Sequence, residues 1–374
     1  MESLYSVHVS TAKSWRGGEN QLWLLASGLL ARGQKVLVVA PPGSPLLERC
    51  QAEKIPARAI RFRGEIDPLG TLRLIKLLRA ERPHILHLHD GHAVMPGQLA
   101  AQVFSRAKLR VVAHRRTVFD LKGKWKYSGR VDRVIAISEA VREKLNAAGI
   151  SDSHIRVVYS GLEFPPAADA ATVAEFQRRH GLPARELLIA HAAALTSEKR
   201  QAEMLRALAL VNEKLKAAGH SAVHLALAGK GDQEQALREL TQSLGLSSFV
   251  HFLGFLTDLR PLWAGSSLAL YASEAEGLCT ALIEAQGAGL PAVITRAGGM
   301  VEVVKEGVTG LSVAIGDVKG LAESILKLMA EPALRENMSA AARVRMRELF
   351  SAEAMVEGVF KAYRELCERP SNVK

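Results

Sequence analysis

Short apolar runs alternate with longer amphipathic runs over almost the whole chain. That alternation predicts buried parallel strands joined by crossover helices. In the first half the runs 5–9, 35–40, 59–62, 85–89, 111–114, 134–137 and 157–159 read as strands, with helices over 20–31, 68–82 and 139–148 between them. Gly33 sits where the first helix should stop, and Ser138 where the third should be N-capped. The second half restarts the pattern, with strands over 187–193, 224–228, 250–253, 268–272, 292–295 and 311–314. Helical runs over 321–330, 333–347 and 352–368 close the chain. Residues 162–183, with Pro165-Pro166 and an Ala-rich stretch, read as a linker. The expected organisation is therefore α/β: a doubly wound domain over 1–165, a second over 183–350, and a final helical segment over 351–374.

One stretch of the second half carries the most chemistry. The strand over 268–272 runs into Glu276-Gly277-Leu278-Cys279-Thr280-Ala281-Leu282-Ile283-Glu284, where a helix is expected from 281. A helix N-terminus leaves amides without intrahelical acceptors and is positive, so it suits an anion. Glu276 before the turn and Glu284 inside the helix would flank that anion and accept hydrogen bonds from sugar hydroxyls. A nucleoside diphosphate with a sugar at each end has that layout. As isolated residues, the two acids read equally well as a solvated loop acid and a helix-terminal acid.

The context resembles the retaining glycosyltransferases of family four, the group 1 glycosyltransferases. Ser273-Glu274-Ala275-Glu276-Gly277-Leu278-Cys279 matches that family's acidic segment, with Leu278 and Cys279 in place of the usual Phe and Gly, and the second Glu in register at 284. Trp15-Arg16-Gly17-Gly18-Glu19 resembles the family's Gly-Gly-x-Glu loop, and Gly229-Lys230-Gly231-Asp232 and Phe252-Leu253-Gly254-Phe255 its nucleotide-side turns. At Ala194-Leu195-Thr196-Ser197-Glu198-Lys199 the family's Lys is present as Lys199, but Ala194 replaces the Arg that normally joins it on the diphosphate. The candidate substitutes are Arg200, or Arg115 or Arg116 from the other domain.

The resemblance implies the GT-B architecture, two Rossmann-like domains facing a cleft with the last helix crossing back to the first domain. It implies transfer of a sugar from a nucleotide-sugar to an acceptor with retention and without a metal or other cofactor, cations and helix N-termini holding the phosphates. The implied catalytic residues are Lys199, Glu276 and His114. The implied donor contacts are Gly17, Gly18, Lys199, Arg200, Gly229, Gly231, Phe255, Glu276, Gly277, Leu278, Cys279, Thr280 and Glu284. Arg115, Arg116, Lys122 and Lys124 are the acceptor-side candidates. His87 and His89 share one strand face; a metal reading would need His84, Asp90 or His92 as third ligand, and a structural or cleft role is expected instead. Gly298-Gly299, before Glu302, resembles another family turn and reads as structural. A sugar-nucleotide epimerase of the same architecture and a catalytically degenerate nucleotide-sugar-binding protein are the rival readings, the second resting on Ala194.

Composition narrows the setting. The chain has 374 residues, 48% of them hydrophobic and 23% charged, which suits globular domains and excludes a disordered class. No apolar stretch approaches the ~20 residues of a membrane span. The N-terminus lacks a secretory pattern, and the three cysteines fit neither a disulfide framework nor a zinc site, so cytoplasmic residence is expected. The net charge of +11 calls for an anionic partner. Ten basic residues (Arg106, Lys108, Arg110, Arg115, Arg116, Lys122, Lys124, Lys126, Arg130 and Arg133) crowd 106–133, against Asp120 and Asp132. Trp125 and Tyr127 interleave with them, which suits an anionic glycolipid or the inner face of an anionic membrane. No groove-reading helix or base-stacking motif points to nucleic acid.

Overall fold

The computed structural model describes residues 3–104, 109–121, 124–184 and 187–368. The chain divides into two compact units, Met1–Leu162 with Phe350–Lys374, and Glu163–Leu349. In the first, β1 (Tyr5–Val9), α1 (Gly17–Ala31), β2 (Lys35–Ala40), α2 (Pro45–Ala52), β3 (Ala57–Ala59), α3 (Pro68–Glu81), β4 (Ile85–Leu88), α4 (Gly91–Phe104), β5 (Arg110–Arg115), β6 (Arg133–Ala136), α5 (Glu139–Ala147) and β7 (Ile155–Val157) follow in order. The sheet runs β3-β2-β1-β4-β5-β6-β7, with every pair parallel. The order reverses between β1 and β4. Ligands of such sheets bind beyond the carboxyl ends of the strands at that reversal.

The second unit contains α6 (Ala170–His180), β8 (Leu188–Ala192), α7 (Gln201–Ala217), β9 (His224–Ala228), α8 (Glu234–Ser243), β10 (Val250–Gly254), α9 (Arg260–Ala264), β11 (Leu268–Tyr271), α10 (Thr280–Gly287), β12 (Ala292–Thr295), α11 (Met300–Val303), β13 (Gly310–Val313), α12 (Val318–Ala330) and most of α13 (Pro332–Phe350). Its parallel sheet runs β10-β9-β8-β11-β12-β13, reversing between β8 and β11. Its core is aliphatic: Ile189, Leu225, Leu227, Leu268 and Leu270 from the strands meet Leu205, Leu208 and Val211 of α7 and Leu321 and Ile325 of α12.

The last helix, α14 (Ala352–Glu368), belongs to the first unit. Its buried stripe Met355, Val356, Val359, Ala362, Tyr363 and Leu366 keeps helical spacing. Val356 packs so tightly on α1 that a Cβ on Gly28 would lie 2.5 Å from its methyl.

Two expectations change. The segment read as linker is part of the second unit: α6 lies against α9, and Phe164 fills the space a Cβ on Gly287 of α10 would need. No residue of α6 is fully buried, so its sequence lacks the apolar stripe that marks a packed helix. The third strand spans Ala57–Ala59 and ends where the expected run 59–62 begins, although Ile60 and Phe62 are buried and produce the alternation of a strand.

Candidate active site

In the second unit the loops after β8 and β11, the pair at which strand order reverses, converge. Lys199 ends a short 3-10 turn after β8, and its Nζ lies 2.5 Å from Oε1 of Glu276, which follows β11. Ser273 Oγ donates to the same oxygen at 3.1 Å. Both side chains are largely shielded, at 19% and 11% exposure. An ammonium has three donors and this pairing uses one, so the cation keeps capacity for a ligand.

Arg200 is engaged by two acids of its own unit. Its guanidinium is tied to Glu274, 2.6 Å away, and to Glu203, while Glu274 N donates to Glu198 O at 2.9 Å. These contacts stitch together the two loops that carry Lys199 and Glu276, and the two carboxylates hold the Arg200 pKa above its usual value.

Helix α10 starts at Thr280, one residue earlier than expected, behind Cys279 at φ 63°. Only glycine adopts that left-handed conformation freely, which is the physical sense of the Gly the family pattern has there. The first intrahelical bonds run from Leu282 N and Ile283 N to Cys279 O, leaving the Thr280 and Ala281 amides available at the exposed start of the helix. Gly277 is half-buried and Leu278 buried in the core beneath. Glu284 sits deeper on α10. Burial raises its carboxyl above the usual range, and the Trp263 indole nearby partly offsets the shift.

Glycines fit this loop cluster together. A Cβ on Gly229 would lie 1.8 Å from Ala193 O and one on Gly231 2.0 Å from Leu195 O, so this turn lies flush on the loop that leads to Lys199. Gly298, at φ 48°, and Gly299 lie equally flush on the backbone of Glu276 and Gly277, and Gly299 N donates to Glu276 O at 3.0 Å. The pair read as structural is therefore the support beneath the acidic loop. Phe255, just past β10, is 71% exposed.

The first unit carries a second cluster at its own reversal point. Gly17 and Gly18 form the first turn of α1 rather than a loop before it, because Glu19 Oε2 accepts from Arg16 N at 3.0 Å and closes the helix start. A Cβ on Gly17 would meet nothing within 4 Å. Arg116, after β5, reaches to 3.8 Å of the corresponding position on Gly18. Its Nε and Nη1 are shielded and, among the described residues, unpartnered, and burial lowers its pKa to about 10.

His114 is buried with His8, His87 and His89. His8 Nδ1 lies 3.0 Å from His89 Nε2, His87 Nε2 lies 3.2 Å from His114 Nδ1, and His87 Nδ1 lies 2.5 Å from the Tyr363 hydroxyl. Desolvation depresses all four imidazoles, His8 to about 3, and keeps them neutral. His8, His87 and His89 have nitrogens within 4.8 Å of one another. The third histidine is thus His8, not His84, Asp90 or His92: His84 accepts from Tyr5 N, Asp90 accepts from Thr11, and His92 faces Glu65. The parallel register that pairs His8 with His87 was the overlooked signal.

Of the basic acceptor-side candidates, Arg115 donates to the carbonyls of Thr117 and Phe119. Lys124 lies on a 3-10 turn at Lys124–Lys126, and Lys122, with Arg106 and Lys108, lies outside the described residues.

Comparison with known proteins decides the family. A model described as "Glycosyl transferases group 1" matches residues 173–345, and one described as "Glycosyltransferase Family 4" matches residues 15–164. The chain is a group 1, family 4 glycosyltransferase. Among its relatives, the lipopolysaccharide core biosynthesis glycosyltransferase LpsD of Rhizobium meliloti is 26% identical over 94% of this chain and 95% of that protein. The N-acetyl-alpha-D-glucosaminyl L-malate synthase of Bacillus anthracis is 24% identical over 81% of this chain and 80% of that protein. A solved structure of Anabaena HepE in complex with UDP superposes with a TM-score of 0.83 at 19% identity, covering 97% of this glycosyltransferase and 100% of that chain. With the two parallel sheets, this likeness shows the GT-B fold. Among the described residues, no helix is long and apolar enough to cross a membrane.

Proposed function

We propose that this glycosyltransferase moves a hexosyl-type sugar from a nucleotide-sugar to a cell-envelope glycan or glycolipid, such as lipopolysaccharide core, with retention and without a metal. The carrying observation is the Lys199–Glu276 pair at the β8/β11 reversal, beside the free amides of α10 and with Glu284 on the same helix. The Thr280 and Ala281 amides and Lys199 take the diphosphate, whose negative charge grows as the sugar bond breaks. Glu276 accepts from hydroxyls of the transferred sugar, and Glu284 from the ribose. Lys199 is the one family cation retained, so the amide dipoles carry much of the stabilisation the missing arginine would give. LpsD and the UDP complex of HepE support the acceptor and donor classes.

An acceptor embedded in a membrane also fits the surface of the first unit. Ile66, Phe119 and Trp125 are 80%, 65% and 45% exposed beside a chain segment rich in lysine and arginine. Contact with an anionic bilayer at the inner face of the membrane follows from that chemistry.

The test is incubation with UDP-, GDP- and ADP-sugars and a truncated lipopolysaccharide core, with the anomeric configuration of the product read by NMR. An α-linked product from an α-linked donor supports the proposal. Inversion, or epimerised sugar formed without acceptor, overturns it.

A further inference from the structure

The four buried histidines of the first unit have eight ring nitrogens, and seven of them are partnered. His8 uses Ser6 Oγ and His89, His89 uses His8 and Arg116, His87 uses Tyr363 and His114, and His114 uses His87 through Nδ1 alone. His114 Nε2 is the remaining one. It has no partner among the described residues, and His114 as a whole is 4% exposed.

A neutral imidazole donates through one nitrogen and accepts through the other, so a row of them has a direction set at its ends. Tyr363 is 1% exposed, and its hydroxyl has His87 Nδ1 as its partner among the described residues. Were His87 to donate to Tyr363, the hydroxyl proton would be buried without an acceptor, a loss worth about 1–3 kcal/mol. Tyr363 therefore donates to His87 Nδ1. His87 in turn donates from Nε2 to His114 Nδ1, and His114 carries its proton on Nε2. The neighbouring row points the same way, because the Arg116 guanidinium, 3.5 Å from His89 Nδ1, has no lone pair to offer.

We propose that Tyr363, on the C-terminal helix, is a positioning residue that sets the tautomer of His114 through His87, so that His114 meets substrate as a hydrogen-bond donor and not as a general base. Its ligand atom is an oxygen with a lone pair: a hydroxyl or phosphoryl oxygen. The substrate part of this inference rests on the proposed transfer reaction, whereas the tautomer stands apart from it. Desolvation agrees with the assignment, since it holds the tyrosine protonated and the histidines neutral.

The experiment pairs a spectrum with a rate. In full-length protein carrying 15N-histidine, two-bond correlations should report His114 as the Nε2–H tautomer, and Tyr363→Phe should convert a substantial fraction to Nδ1–H. A wild-type His114 protonated on Nδ1, or a tautomer unmoved by Tyr363→Phe, overturns the assignment whatever reaction the protein performs. Should Tyr363→Phe not fold, His114→Gln and His114→Asn take its place, because the Gln amide reaches the Nε2 position and the Asn amide the Nδ1 position. Gln should retain kcat within about tenfold and Asn should lose about a hundredfold, the scale of one deleted transition-state donor. Equal losses in the two, or better activity in Asn, overturn the donor role.

Discussion

Removing Lys199 should separate what the Lys199–Glu276 pair does for the fold from what it does for the reaction. In Lys199→Met the Glu276 carboxylate, 11% exposed, keeps Ser273 Oγ and the Cys279 thiol as its hydrogen-bonding neighbours among the described residues. Stranding such an acceptor costs about 1–3 kcal/mol. For a unit of this size that lowers Tm by roughly 2–12 °C. Loss of the cation opposite the leaving diphosphate should cost about 3–4 kcal/mol in the transition state, roughly 10²–10³ in kcat. The double variant Lys199→Met/Glu276→Gln removes the stranded charge, so it should recover most of the stability and none of the turnover. Thermal unfolding followed by circular dichroism, with initial rates of nucleoside diphosphate release, measures both quantities on the same samples. The reasoning fails if the double variant regains turnover, or if Lys199→Met stays within tenfold of wild type.

Three further outcomes follow from the geometry. Burial raises the Glu284 carboxyl, so the stability it contributes is full below the ordinary carboxylate pKa and is lost as pH rises through the elevated one. Glu284→Gln should therefore unfold at higher urea than wild type at pH 7 and converge with it in acid, while binding nucleoside diphosphate more weakly by calorimetry; equal affinity would remove Glu284 from the ribose. Cys279→Gly relieves a left-handed residue at about 1–2 kcal/mol and frees the unfolded chain at about 0.4–1, so urea denaturation should show unchanged or slightly higher stability. A clear destabilisation would contradict it. The four histidines are depressed, so their contribution to stability is present above ~6.5, the unfolded value, and is lost as pH falls towards their folded pKa values. Each adds up to about 1.4 kcal/mol per pH unit to acid destabilisation of the first unit. Stability independent of pH between 7 and 5 would refute that.

The alternation of elements was legible because buried parallel strands are continuous apolar runs, and β1, β2, β9 and β12 fall where the runs do. Helix α4 was harder: Gly91, Pro96 and Gly97 look like breakers, yet Gly97 is what lets Leu88 of β4 approach, a Cβ there lying 2.3 Å from its methyl. At the site, residue types at fixed spacing pointed to Lys199, Glu276 and Glu284, but pairings between distant loops leave no local trace. That Arg200 is occupied by Glu274 and Glu203 could not be read from its position beside Lys199. Tyr363 and His87 are 276 residues apart, and Tyr363 looks like any large side chain on an apolar helix stripe.

A crystal structure with a bound nucleoside diphosphate tests the central claim most directly. The account predicts phosphate oxygens within hydrogen-bond distance of the Thr280 and Ala281 amides and Lys199 Nζ, with Glu284 on the ribose. Phosphates bound away from α10, or Glu276 and Glu284 both turned from the ligand, would contradict it.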